Sequence, residues 1–365
     1  MNNLRNPLFS LLLLLVAAVM IHGCSPGGED EALTVYSGRS KPLVDGLVQQ
    51  FEQQTGTSVA VKYGRDAQLL AALEEEGNQS PADVFWANTT GALSNAVDKD
   101  LLNTLPDPLL DRVERFTPSH GRWVPVTTRF RVLAYNSDRV DPDDLPDSVL
   151  GLPEQTNLEG RIGWTPTYSS FQDFVTALRM IEGRETALNW LKGVSELNPK
   201  SYKSNTPMIR ALKAGEIDVA LTNHYYVLRL KHGGAEGEYE GDEEAEEEKK
   251  EEGHEEATAD PEAPVQTYHF AKGDAGNLAL VTGAGVLSTS DRSKQARNFL
   301  RFLLSKTAQS FAAEQVNEYP VVTGVKVPDY MNPVKEALQL SPSFEPGRLS
   351  ELEKTLELLR EAGVL

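Results

Sequence analysis

GEIDVALTNHYYVLRL, residues 215–230, sets a hydrophobic run directly against two adjacent phenols, Tyr225 and Tyr226. EIDVALT (216–222) reads as a buried strand, so the phenols stand at its mouth. An aromatic pair can bury a large apolar area, and packing alone would account for it. Chemistry is the competing account, and the rest of the chain decides between them.

Strand and helix signals alternate on both sides of this stretch. LTVYS (33–37) reads as a strand and is followed by a helix with Leu43, Leu47 and Phe51 on one face, ending at Gly56. SVAVKY is a second strand, DAQLLAALEEE a helix stopped by Gly77, and ADVFWA a third strand. RFRVLAYN (129–136) and RIGWT (161–165) continue the series, interleaved with helices over FQDFVTALRMI and ETALNWLKGV. Such alternation predicts an α/β fold with parallel sheets covered by helices on both faces. A chain of 365 residues exceeds what one core usually serves, which points to two lobes and leaves room for a cleft.

Ligands of open parallel sheets bind beyond the carboxyl ends of the strands. Three of those junctions carry polar side chains. Ser37-Gly38-Arg39-Ser40 offers backbone N–H groups and a guanidinium suited to a small oxyanion, or else an ordinary capping turn. Thr165-Pro166-Thr167-Tyr168-Ser169-Ser170 precedes another helix, and Thr222-Asn223-His224-Tyr225-Tyr226 is the third. Tyr168, Tyr225 and Tyr226 would form an oxygen-rich cluster if these strands share a sheet. A free phenol has a pKa near 10, but a bound, highly charged cation favours the phenolate, and hard oxygen donors suit ferric iron. Arg39 is the first choice for a partner anion, with Arg129 and Arg131 behind it. Asn223, Asn88 and Ser169 are candidates to orient the anion or the cleft edge. Trp86, Trp164 and Phe171 read as core or cleft wall, and His224 as a hydrogen-bonding neighbour whose charge could respond to pH.

The ends and the charge narrow the setting. MNNLRNPLFSLLLLLVAAVMIHGC has an early Arg5, an apolar stretch from Leu11 to Ile21 and the chain's one cysteine, Cys24. This is an export signal over 1–24, and IHGC is similar to a lipoprotein signal in which Cys24 is acylated. SPGGEDE then serves as a tether, over 25–31, to the outer face of a membrane or the periplasm. One cysteine excludes intramolecular disulfides and a cysteine zinc cluster. The formal net charge is −19, and fifteen acidic residues against Lys249 and Lys250 fall between Glu236 and Glu262. That run has too few apolar residues to offset ordering and predicts a disordered surface insert over 233–264. Weak metal collection by its glutamates with His232 and His254 is the alternative use. Overall acidity argues against nucleic-acid binding.

The sequence resembles the ferric-ion-binding proteins of bacterial iron uptake, the substrate-binding subunits of importers of the ATP-binding-cassette type. The resemblance rests on VYSGR, SPADVFWA (80–87), RFRVLAYN, RIGWTPT, GEIDVALTNHYY (215–226), GAGVL (283–287) and NEYPVV (317–322), in family order across nearly the whole exported chain. It implies a two-lobed clamshell of the periplasmic-binding-protein kind with a mixed, mainly parallel sheet in each lobe. Lobe 1 would hold 32–128 and 276–325, lobe 2 would hold 129–275, and helices in 326–365 would pack on lobe 2. It also implies ferric iron held by Tyr225 and Tyr226, with Tyr168 as a third phenolate, and a synergistic anion such as carbonate or phosphate. Anion contacts fall to Arg39, Ser40, Gly38, Ser169, Asn223 and Arg129. Some relatives place a histidine in the first loop and a glutamate after the third strand; Ser40 and Asn88 align there, and both are neutral, weaker donors. A monomer handing iron to a separate permease and its ATPase follows from the resemblance. A solute-binding protein for a polyamine, sugar phosphate or oxyanion is the runner-up. An anchored enzyme is the remote one, since no HExxH or phosphate loop occurs and no GxSxG stands in a recognisable setting.

Overall fold

The structure, a computed structural model, describes residues 32–113, 115–234, 259–344, 349 and 351–365. The expected leader, tether and Cys24, and the acidic run at 235–258, lie outside the described residues.

The first half of the fold follows the alternation closely. β1 (Leu33–Ser37), α1 (Lys41–Thr55), β2 (Val59–Tyr63), α2 (Asp66–Glu76), β3 (Val84–Ala87) and α3 (Thr90–Asp98) succeed one another, with β1 parallel to both β2 and β3. Leu43, Leu47 and Phe51 form the buried stripe of α1, which ends at Gly56 with a φ of 71° that suits glycine. Thr89 caps α3 by accepting from the Ala92 amide at 3.3 Å.

β4 (Val124–Asn136) is the element that joins the lobes. It is longer than the predicted strand at 129–136, because polar Thr127 and Thr128 and a register shift beside Pro125 hide its first half from a periodicity reading. β5 (Ile162–Trp164), α4 (Ser169–Ile181), α5 (Arg184–Glu196), β6 (Lys200–Ser201), α6 (Asn205–Lys213), β7 (Val219–Asn223) and α7 (His224–His232) build the second half. β7 begins three residues later than the 216–222 reading; Asp218, just before it, is ion-paired with Arg139 and Arg161. The chain then returns through β8 (Val265–Tyr268), β9 (Ala279–Val286), α8 (Ser293–Leu303), α9 (Lys306–Val316), β10 (Tyr319–Pro320) and α10 (Leu352–Glu361).

The strand order is β2-β1-β3-β9-β4-β7-β5-β6, with β8 and β10 also paired to β4. Strands run parallel on both flanks, while β9, β8, β7 and β10 run antiparallel to β4. Val124 to Phe130 pair with β9, and Arg131 to Tyr135 pair with β7, so β4 leaves one lobe and enters the other between Phe130 and Arg131. Each lobe has its own core. Val35, Leu47, Phe51, Trp86 and Phe299 meet in the first; Trp164, Phe171, Phe174, Trp190 and Leu221 meet in the second, joined by Leu358 and Leu359 of α10. This is the two-lobed α/β clamshell with a mixed sheet that the resemblance implied. Among the described residues no helix is long and apolar enough to cross a membrane.

Candidate functional site

The phenols come together because their strands are neighbours. β5 and β7 pair in parallel, Ile162 with Val219 and Gly163 with Ala220, so both open on the same edge of the sheet. α7 starts immediately after β7, placing Tyr225 and Tyr226 in its first turn with ring centroids 4.3 Å apart. Tyr168 stands at the N-cap of α4, and its hydroxyl lies 3.3 Å from that of Tyr226. Tyr226 is buried under the Arg229 guanidinium, 4.9 Å from its ring, while Tyr225 is half-buried.

The floor beneath them is cationic. Arg129 and Arg131 are two apart on β4 and therefore share a face, and both are buried. Arg131 Nη1 donates to Asn223 Oδ1 at 3.2 Å, and Arg129 Nη2 donates to the Asn88 carbonyl at 3.0 Å. Burial pushes the Arg131 guanidinium down to about 9, against the pull of Tyr225, so it stays charged at neutral pH. Burial likewise pushes the Asp173 carboxyl up to about 7, opposed by Arg129. Five buried polar atoms in this region have no partner among the described residues: Arg129 Nη1, Arg131 Nη2, Asn223 Nδ2, Thr165 Oγ1 and Ser170 Oγ. An unsatisfied buried donor costs about 1–3 kcal/mol, so a bound oxyanion accepting from several of them would gain more than a surface contact offers.

The first loop differs from expectation. The Gly38 amide donates to the Trp86 carbonyl at 2.9 Å, and the Arg39 amide to Ser37 Oγ at 3.1 Å, so neither is turned toward a ligand. Glycine is needed at 38, since a Cβ there would fall 1.8 Å from Asp66 Oδ1. The Arg39 guanidinium bonds Asn88 Oδ1 through Nη1 and Glu318 Oε1 through Nη2, the latter at 2.6 Å. Thr127 donates to the other Glu318 oxygen. Burial would raise the Glu318 carboxyl, but Arg39 and Arg129 outweigh it and hold it below the usual range. Arg39 is thus engaged by a carboxylate 279 positions away, which no local reading reveals. Ser40 caps α1 without a side-chain cap bond. Ser169 Oγ lies 3.5 Å from Asn88 Nδ2, a contact from one lobe to the other.

Trp86, Trp164 and Phe171 are core. His224 uses both ring nitrogens on protein: Nδ1 accepts from the Phe130 amide at 3.1 Å, so Nε2 carries the proton and donates to the Asn317 carbonyl at 2.9 Å. Burial pushes its pKa down to about 4, so it is neutral at neutral pH and would gain charge only in acid. Asp66, Asp173, Arg229, Asn317 and Glu318 are the site-forming residues that sequence reading missed. Each lies in a stretch quoted above, but as part of a helix, strand or motif rather than as a site residue in its own right. Among the described residues no group of three or more His, Cys, Asp or Glu is arranged to hold a metal ion.

The profile of the bacterial extracellular solute-binding proteins matches residues 33–315. The chain belongs to that family. Family members are binding proteins, not enzymes. This solute-binding protein is 31% identical over 342 residues to the major ferric iron-binding protein of Neisseria meningitidis serogroup B, covering 91% of this chain and 93% of that one. It is 29% identical over 355 residues to the Fe(3+)-binding periplasmic protein of Serratia marcescens, covering 96% of each. The crystal structure of iron-bound HitA from Pseudomonas aeruginosa superposes with a TM-score of 0.77 at 31% identity, covering 91% of this chain and 99% of that one. The resemblance to ferric-ion-binding proteins read from the ordered motifs therefore holds.

Proposed function

We propose that this solute-binding protein captures ferric iron between its lobes through the phenolates of Tyr225 and Tyr226, with Tyr168 as a third. The observation that carries the reading is the convergence of three phenols on a buried floor of unpartnered arginine and amide donors. Ferric iron supplies the charge that makes phenolates favourable, and a small synergistic anion, carbonate or phosphate in type, bridges the metal to Arg129, Arg131, Asn223 and Ser169. Arg39 acts from behind by holding Asn88, with Gly38 and Ser40 shaping its loop. The lobes close about β4 and the return strands, and closure completes the ligand set. Because the phenols lose protons on binding, acid weakens the complex. Acylated Cys24 would keep the protein at the outer face of the cytoplasmic membrane or in the periplasm, where it passes iron to a permease driven by a separate ATPase. Metal analysis and a visible spectrum of protein purified from its host test the reading. One iron per chain with a phenolate-to-iron charge-transfer band is expected; a colourless, iron-free protein carrying an organic solute would replace it with the runner-up.

A further inference from the structure

Asn317 is fully buried, caps the C-terminus of α9 at a φ of 58°, and reaches across to the tyrosine helix. Its backbone carbonyl accepts from His224 Nε2 at 2.9 Å, and its Nδ2 donates to the Gly233 carbonyl at 3.2 Å. Its Oδ1 accepts from the Tyr330 hydroxyl at 2.7 Å, and the Tyr330 ring stacks on His232 with centroids 4.0 Å apart. His224 is the first residue of α7 and Gly233 its C-cap. One residue outside the helix thus holds both of its ends. The next residue, Glu318, turns the other way to Arg39 and Thr127, and Tyr319 packs edge-on against Phe130, where β4 changes lobes.

We infer that Asn317 is the positioning residue for the tyrosine pair, fixing the rotation and axial placement of α7 relative to the arginines of β4. This rests on the proposal that Tyr225 and Tyr226 ligate iron. A nine-residue helix is too short to be rigid in isolation, and its orientation depends on what its ends contact. Pinning both ends keeps Tyr225 and Tyr226 in register with Tyr168 before metal arrives, so less ordering accompanies binding. Partners bonded directly to a ligand are commonly worth about 10–100-fold in metal affinity, and Asn317, which acts on the phenols through the two ends of their helix, falls at the lower end of that range.

Asn317→Gly is the test variant, because glycine accepts the positive φ and keeps the carbonyl that serves His224, while both side-chain bonds go. Ferric affinity by chelator competition and the iron dissociation rate are measured on folded protein, together with the charge-transfer band. The expected result is affinity lowered about tenfold or more, with faster dissociation and a band that shifts or broadens but persists. Tyr330→Phe, which removes only the bond to Oδ1, is expected to move the same quantities by about threefold, and it decides the matter if Asn317→Gly does not fold. A merely structural role would lower apo stability and leave the affinity and band of folded protein within twofold of wild type; that outcome overturns the inference. Tyr225→Phe with Tyr226→Phe in the same assay separates the two claims. Retained ferric binding there sinks the ligand assignment itself, whereas lost binding there beside an unaffected Asn317→Gly sinks only the positioning role.

Discussion

Replacing Glu318 by glutamine removes one charge from the centre of the molecule and keeps its shape. Glu318 Oε1 lies 2.6 Å from Arg39 Nη2, with the side chains 4% and 5% exposed, and its other oxygen accepts from Thr127. Unit charges at such range attract with about 6 kcal/mol at an effective dielectric near 20. Neutralising one partner also leaves Arg39 buried without its counter-charge, and breaking such pairs from one side typically costs about 3–5 kcal/mol. Glutamine still offers Arg39 an acceptor, so the expected loss is about 3 kcal/mol at pH 7, read from urea unfolding of the apo protein. The pH dependence gives a second check. Glu318 is held below its ordinary range, so its charge stabilises the fold above the unfolded carboxylate value, and that stability is lost as pH falls through the lower folded value. The gap between wild type and Glu318→Gln should therefore be full near pH 7 and shrink below about pH 4. A loss under about 1 kcal/mol at pH 7, or a gap that persists unchanged in acid, would refute the assignment of Glu318 as the counter-ion of Arg39.

Other outcomes follow from the same site. Asp173 keeps its proton to about pH 7 in the fold but releases it near 4 when unfolded, so stability declines as pH rises between those values. Asp173→Asn should flatten that decline and raise apo stability at pH 8 by on the order of 4 kcal/mol, measured by urea titration across pH. Arg131→Met removes an unpartnered buried donor beneath the phenols. Ferric affinity in the variant should fall roughly tenfold and lose most of its dependence on added carbonate or phosphate, as chelator competition with and without each anion would register.

The parts of this fold legible in the sequence are those encoded locally. The stripe of α1, the Gly56 stop and the burial of β3 are set by residues within a few positions of one another. The tyrosine pair was legible as a strand-end feature because strand and helix meet there without a linker. The antiparallel returns of β8 and β9 onto β4 were not, since helix–strand alternation says nothing about where the chain comes back. Arg39 looked like an anion ligand for the same reason: its partner Glu318 arrives from the far end of the chain. On the sequence alone Arg129 and Arg131 rank behind Arg39 as anion partners. In the fold both are buried, and the orphaned donors they present emerge only when the surrounding elements are in place.

The central claim is that Tyr225 and Tyr226 anchor the metal. Ferric titration of the Tyr225→Phe, Tyr226→Phe double variant, followed in the visible region, tests it most directly. Phenylalanine keeps the packing of the ring pair and removes both ligand oxygens, so the apo fold should persist while the charge-transfer band vanishes and ferric affinity collapses. A variant that still binds ferric iron with the wild-type absorbance would contradict the account.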